Sequence, residues 1–225
     1  MAVDNLIAIF GLANLLALLA VVAIGLPHGA FDGAIAARLG FTKRPYFLTR
    51  FLFLYFLIAV SVVVLWIAFP VETLILFLLV STLHFGLGDA SALYGWSRWV
   101  QVVAHGAVVV VGISQFHKLE VDKIFNYLTG QDSNVVWIAI DLASIVFVPV
   151  FVIYAWQACQ DQRLRPAFIE LNLLLLVFIF FQPLVGFALY FCCIHSMRHF
   201  LVLWRSLQTA LRRNDFYFQA IAFTF

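Results

Sequence analysis

From Phe51 to Val71 the chain runs without one charged side chain, and stretches of this kind recur along its length. About twenty consecutive apolar residues match the hydrocarbon thickness of a bilayer. In that medium the backbone must satisfy its own hydrogen bonds, which a helix does within each segment. Composition agrees: 65% of the 225 residues are apolar and only 11% are charged, with a mean hydropathy of +1.05. A soluble domain is about half apolar and could not keep this much Leu, Ile, Val and Phe out of water. The expected fold is therefore all-α, a polytopic transmembrane helical bundle. No low-complexity linker divides it, so residues 1–225 are read as a single domain. The net charge of +2 is too small to suggest nucleic acid as a partner. Cys159, Cys192 and Cys193 have no C-x-x-C spacing and suggest no disulfide set. The opening segment lacks the basic start and small-residue cleavage site of a secretory signal.

Apolar runs between charges give about seven spans: 5–30, 51–69, 72–91, 99–116, 134–157, 167–181 and 184–204. Gln182-Pro183 is read as a tight turn between the last two. Merging them would need about 38 residues, nearly 57 Å at about 1.5 Å per residue, too long for one span. With the N-terminus outside, the inner loops collect Arg38, Lys43, Arg44, Arg50, Arg98, Arg163, Arg165, Arg205, Arg212 and Arg213. The outer loops then hold only Lys118 and Lys123. That asymmetry follows the positive-inside rule. Residues 216–225 amount to about half a span, so either an eighth helix is very short or the chain is cut within it.

Four histidines stand within these segments, in the strings Pro27-His28-Gly29-Ala30-Phe31-Asp32, His84-Phe85-Gly86-Leu87-Gly88-Asp89 and His195-Ser196-Met197-Arg198-His199. Ionisable residues in hydrocarbon are costly and mark functional sites by default. Once charge fixes the orientation, His28, His84, His195 and His199 can reach one layer in the inner half of the bilayer. His195 and His199 are four apart and project from one helix face. The four are expected to bind one metal, and an all-imidazole set suits Fe, Cu, Zn or Ni rather than Mg or Ca. Asp32 and Asp89 suit carboxylates that accept the far N–H of a ligating imidazole, or they pair with Arg198. His105 is left open as a fifth ligand, a supporting donor, a substrate contact or a hydrogen-bonded packing residue. His117, in an outer loop, receives no role; Asp141 and Glu170 are read as interfacial or interhelical polar groups. Gly25, Gly29, Gly33, Gly86 and Gly88 allow close backbone approach. The 25 phenylalanines around a polar centre suit an elongated apolar substrate entering from the bilayer.

The ordered set of these strings, with His105-Gly106 between the second and third, resembles the motif set of the Brp/Blh-type β-carotene 15,15′-dioxygenases. The resemblance runs from the first segment to the seventh. It implies an integral membrane enzyme of rhodopsin-bearing bacteria or archaea, in the plasma membrane. It implies cleavage of the central double bond of β-carotene by O2 at a non-haem iron, Fe(2+), giving two retinal molecules for a proteorhodopsin-like opsin. The family's iron ligands map onto His28, His84, His195 and His199. Members of the family continue through further hydrophobic sequence after the point that corresponds to Phe225.

Two other functions compete. A membrane di-iron hydroxylase or desaturase uses about eight histidines in several boxes, whereas six exist here. A metal transporter needs polar residues at successive depths, and the outer halves of segments two to four are almost purely apolar. A retinal-binding opsin is excluded on this reading because Lys43, Lys118 and Lys123 all fall in loops, leaving no intramembrane Schiff-base lysine.

Overall fold

A computed structural model describes residues 7, 10–24, 45–91 and 95–201. The described residues fold as helices joined by short turns. In chain order they are α1 (Leu12–Ile24), α2 (Pro45–Ala68), α3 (Pro70–Asp89), α4 (Gly95–Phe116) and α5 (Lys118–Thr129). There follow α6 (Asn134–Gln160), α7 (Arg165–Phe180) and α8 (Pro183–Leu201). Among the described residues five helices, α2, α3, α4, α6 and α8, are long and apolar enough to cross a membrane. The other two expected spans correspond to the shorter helices α1 and α7. The segment after Arg213 lies outside the described residues, as do Gly25, Gly29 and Gly33.

Prolines set several boundaries. Pro70 and Pro183 occupy the first turns of α3 and α8, where a missing N–H costs nothing and the fixed φ favours the helix. Phe181 is extended after α7, so the chain breaks at Gln182-Pro183 and α7 and α8 are separate helices.

The centre of the bundle is α4, whose residues are mostly buried, while α2 has no buried residue and lies at the periphery. Helix α3 crosses α4 at two glycines. A Cβ on Gly86 would overlap the Val102 carbonyl, and a Cβ on Gly106 would overlap the Thr82 carbonyl. Each helix thus presents its glycine to the other's backbone, a reciprocal version of the small-residue packing that membrane helices use. One apolar core joins Phe85, Val100, Ala104, Tyr154, Leu171, Phe178 and Tyr190 across α3, α4, α6, α7 and α8. A second joins Val71 and Leu74 to Val121, Phe125 and Trp137 of α3, α5 and α6.

Polar side chains also bond across helices. Gln115 donates to Asp141 at 2.8 Å and to Ser144 at 2.9 Å, and Ser97 donates to Gln157 at 3.1 Å. The Leu184 amide donates to Asn14 Oδ1 at 3.2 Å, tying α8 to α1.

Helix α5 departs from the loop expected around His117 and Lys118. Val121, Phe125 and Thr129 recur every fourth residue and are buried, giving an amphipathic helix one apolar stripe against the core. It is short and charged on its other face, so it forms no uniformly apolar run. His117 precedes it and donates from Nε2 to the Phe178 carbonyl at 2.7 Å.

Candidate metal centre

Helices α3 and α8 bring two of the four singled-out histidines together. His84 Nε2 lies 3.4 Å from His195 Nε2, with the ring centroids 5.2 Å apart. His84 is on the exposed edge of the site and His195 is buried. An N–H···N hydrogen bond is ordinarily shorter than this. Two imidazole nitrogens bound to one cation at about 2.1 Å each, the zinc–imidazole value, sit roughly 3.0–3.4 Å apart. The pair therefore has the separation of two ligands of one ion.

The contacts of His195 set the direction in which its Nε2 faces His84. Asp89 Oδ1 lies 3.4 Å from His195 Nδ1, and both residues are nearly inaccessible, 4% and 3% exposed. A carboxylate paired with an arginine only accepts, so this contact, at the long end for a hydrogen bond, favours the tautomer with the proton on Nδ1 and a lone pair on Nε2. Asp89 is itself fixed from two sides. Tyr190 donates to its Oδ2 at 2.6 Å and Arg198 Nη1 donates to its Oδ1 at 2.9 Å. Arg198 Nη2 then donates to both carboxylate oxygens of Glu170 on α7 at 2.8 Å. A chain of polar contacts, Glu170–Arg198–Asp89–His195, thus crosses three helices. It leaves the buried carboxylate bonded on both oxygens, as burial of a charge requires.

The local backbone is adapted to this arrangement. In α8 the segment Phe191–His195 is a π turn. In a regular α-helix Tyr190 and His195, five apart, would point in different directions. The wider π turn puts the Tyr190 hydroxyl 3.4 Å from His195 Nδ1. Such turns are rare and concentrate at functional sites. On α3, Gly88 leaves room for the ring: a Cβ there would meet His195 Cε1 at 3.0 Å. The two glycines of the His84–Asp89 string therefore differ in purpose, Gly86 admitting helix α4 and Gly88 admitting the imidazole.

Aromatic rings close the surroundings. Phe85 stands edge-on to His195 at 5.0 Å. Phe191 stacks on His195 at 6.1 Å and on Phe187 at 5.6 Å.

The remaining expected residues fall as follows. His199 is half-buried one turn beyond His195 on the same helix. His28 and Asp32 lie outside the described residues. Among the described residues no three His, Cys, Asp or Glu side chains converge so as to hold a metal ion, so the described part of the centre is the facing pair. His105 is directed elsewhere, with Nε2 3.3 Å from the Tyr154 hydroxyl. Its Nδ1 is buried without a hydrogen-bond partner among the described residues. Arg198 pairs with Asp89, one of the two carboxylates considered for it, and Glu170 is an interhelical group. Tyr190 had not been singled out. Its five-residue spacing from His195 carries no signal for anyone expecting regular α-helix, and only the π turn makes it a neighbour.

A sequence profile of the family described as Beta-carotene 15,15′-dioxygenase matches residues 19–225. The chain belongs to this family. A protein described as Beta-carotene 15,15′-dioxygenase, from an uncultured marine bacterium 66A03, is 37% identical over 196 residues, 85% of this chain and 70% of that protein. No solved structure matches the chain. The matched range contains every described residue of the centre, so the facing histidines and their carboxylate lie within the part shared with the family.

Proposed function

We propose that this chain cleaves β-carotene at its central 15,15′ double bond with O2, at a non-haem iron(II), giving two molecules of all-trans-retinal. The reaction balances without a further reductant: one C=C bond breaks, two C=O bonds form, and both oxygen atoms enter the products. The observation that carries this reading is the His84–His195 pair, backed by a buried carboxylate, in a chain of this family. Neutral imidazoles from His28, His84, His195 and His199 would hold the iron, a donor set that suits Fe(II). When bound, iron supplies the redox chemistry by which O2 is activated.

The chain's own residues have definable tasks. Asp89 keeps the His195 proton on Nδ1, so that Nε2 stays a donor to the metal. Tyr190 and Arg198 prevent the carboxylate from turning away, and Glu170 balances Arg198. Phe85, Phe187 and Phe191 give the centre an apolar wall against which a polyene packs and from which water is excluded. The apolar helices support a multi-pass protein, here proposed for a bacterial or archaeal plasma membrane with the N-terminus outside. There β-carotene is dissolved in the surrounding lipid, and retinal is released where an opsin can take it up.

The test is expression of the chain in β-carotene-producing cells, with chromatography of the extracted pigments. Retinal should appear at the expense of β-carotene, and the purified protein should carry one iron per chain. Two irons per chain would instead favour a dinuclear hydroxylase or desaturase.

A further inference from the structure

An apolar cavity of about 200 Å³ lies between the two cores, walled by α3, α4, α5 and the start of α8. Along α3 its wall is one stripe, Leu74, Leu78, Ser81 and Phe85, spaced so that they share a helix face. That stripe runs roughly 16 Å from Leu74 to Phe85 at about 1.5 Å per residue. Ser81 is the small member, leaving a gap between Leu78 and Phe85. The opposite wall includes Val109 and Val110, within the second π turn of the fold, Val108–Gly112. Helix α5 covers the far end with Ile124 and Leu128.

The deep end of the cavity is one ring away from the histidine pair. Phe85 lines the cavity and touches both imidazoles, with centroids 5.6 Å from His84 and 5.0 Å from His195. Phe187 also lines it and reaches His195 through Phe191. Phe77, another lining residue, is 56% exposed, so the cavity opens on the outer, lipid-facing surface of the bundle.

We infer that this cavity receives the terminal ring of one arm of the polyene, and that Ser81 keeps the passage open. The inference rests on the carotenoid-cleaving reading above and adds to it where one end of the substrate lies. A roughly 150 Å³ apolar cavity admits benzene and stays dry when empty, so this volume suits a methylated six-membered ring. A substrate cut at its centre has two arms of equal length, and a cavity that starts beside the metal ligands and extends along one helix lies in the direction one of them takes. The lining offers the hydroxyls of Ser81 and Ser114 as its polar side chains, which favours a hydrocarbon ring over a charged or strongly polar end.

The experiment compares wild type with Ser81→Phe, which fills the gap from α3, and with Ile124→Trp, which fills the cavity from α5. β-Carotene bound to purified protein in lipid nanodiscs is read from its absorbance, and iron is measured on the same samples. Both variants should keep wild-type iron and bind β-carotene at least tenfold more weakly. An apocarotenoid with one shortened arm should regain binding, because the short arm then enters the blocked side. Undiminished β-carotene binding in a folded, iron-loaded variant overturns the inference. So does loss of a co-purifying phospholipid with unchanged carotenoid binding, which would mark the cavity as a lipid groove. Binding is read without turnover, so a wild type that binds the carotenoid in this cavity yet forms no retinal would sink the proposed reaction alone.

Discussion

His84 and His195 face one another through their Nε2 atoms at 3.4 Å, although 111 residues separate them in the chain. The fold achieves this through the glycine crossing of α3 on α4 and the π turn of α8. If the pair binds iron, replacing either histidine by Ala should abolish both bound iron and retinal formation while the protein still purifies folded. Metal analysis and pigment chromatography on the same preparation decide it. Iron retained at wild-type level in His195→Ala would remove His195 from the ligand set.

Tyr190→Phe deletes a single hydroxyl and leaves Asp89 without one of its donors. A hydrogen bond to a charged group contributes about 1.5–3 kcal/mol, so a fall in stability of that order is expected. Partners behind a ligating histidine also typically change metal affinity by about 10- to 100-fold. Iron affinity should therefore weaken within that range in Tyr190→Phe, as measured by competition with a chelator. Unchanged affinity would reduce Tyr190 to packing.

Asp89→Ala should be more severe. Breaking a buried ion pair by removing one partner costs about 3–5 kcal/mol. The loss should lie near the lower end because Glu170 still holds Arg198. Asp89→Asn keeps the shape but offers an amide beside His195, and it should retain more stability than activity. Thermal unfolding and turnover of the two variants separate the contributions.

Gly86→Ala and Gly88→Ala should fail in different ways. A Cβ at residue 86 meets backbone of Val102, which cannot move aside without separating α3 from α4, so folded yield should collapse. A Cβ at residue 88 meets the edge of the His195 ring. Overpacking of that kind typically costs about 1–3 kcal/mol, so the variant should fold and lose iron binding. Expression, size-exclusion profile and iron content report each outcome.

Outside the spans, Asp122 accepts hydrogen bonds from Ser133 at 2.6 Å and Trp137 at 2.8 Å, with a further bond from Asn126. These bonds hold its carboxyl below the ordinary carboxylate value of 3.8. A depressed folded pKa contributes stability that is fully present above the unfolded value and is lost as pH falls through the folded one. Stability followed by tryptophan fluorescence should thus lose this contribution below about pH 4, and Asp122→Asn should remove that part of the pH dependence. The same acid profile in wild type and variant would contradict it.

Much of this architecture could be read from residues alone, for reasons that are physical. Long uncharged runs leave a chain in lipid little choice but helices, and α2, α3, α4, α6 and α8 follow. The break at Gln182-Pro183 was visible because proline cannot continue a helix it enters from the wrong side. Imidazoles in hydrocarbon draw attention by their cost, and that brought His84 and His195 forward. Tyr190 stayed hidden because neighbourhood at a spacing of five needs a π turn, which no local propensity announces. The pairing of Gly86 with Val102 and of Gly106 with Thr82 was equally hidden, since helix crossings depend on partners distant in sequence. Helix α5 was missed for the opposite reason: its signal is amphipathic, and a reading tuned to uniform apolar runs passes over it.

The most direct test of the central claim is product analysis from purified protein loaded with Fe(II) and supplied with β-carotene and O2. All-trans-retinal should be the sole carotenoid product, two per β-carotene consumed, with nothing formed by His84→Ala. Longer apocarotenals, or no cleavage at all by iron-loaded protein, would contradict it.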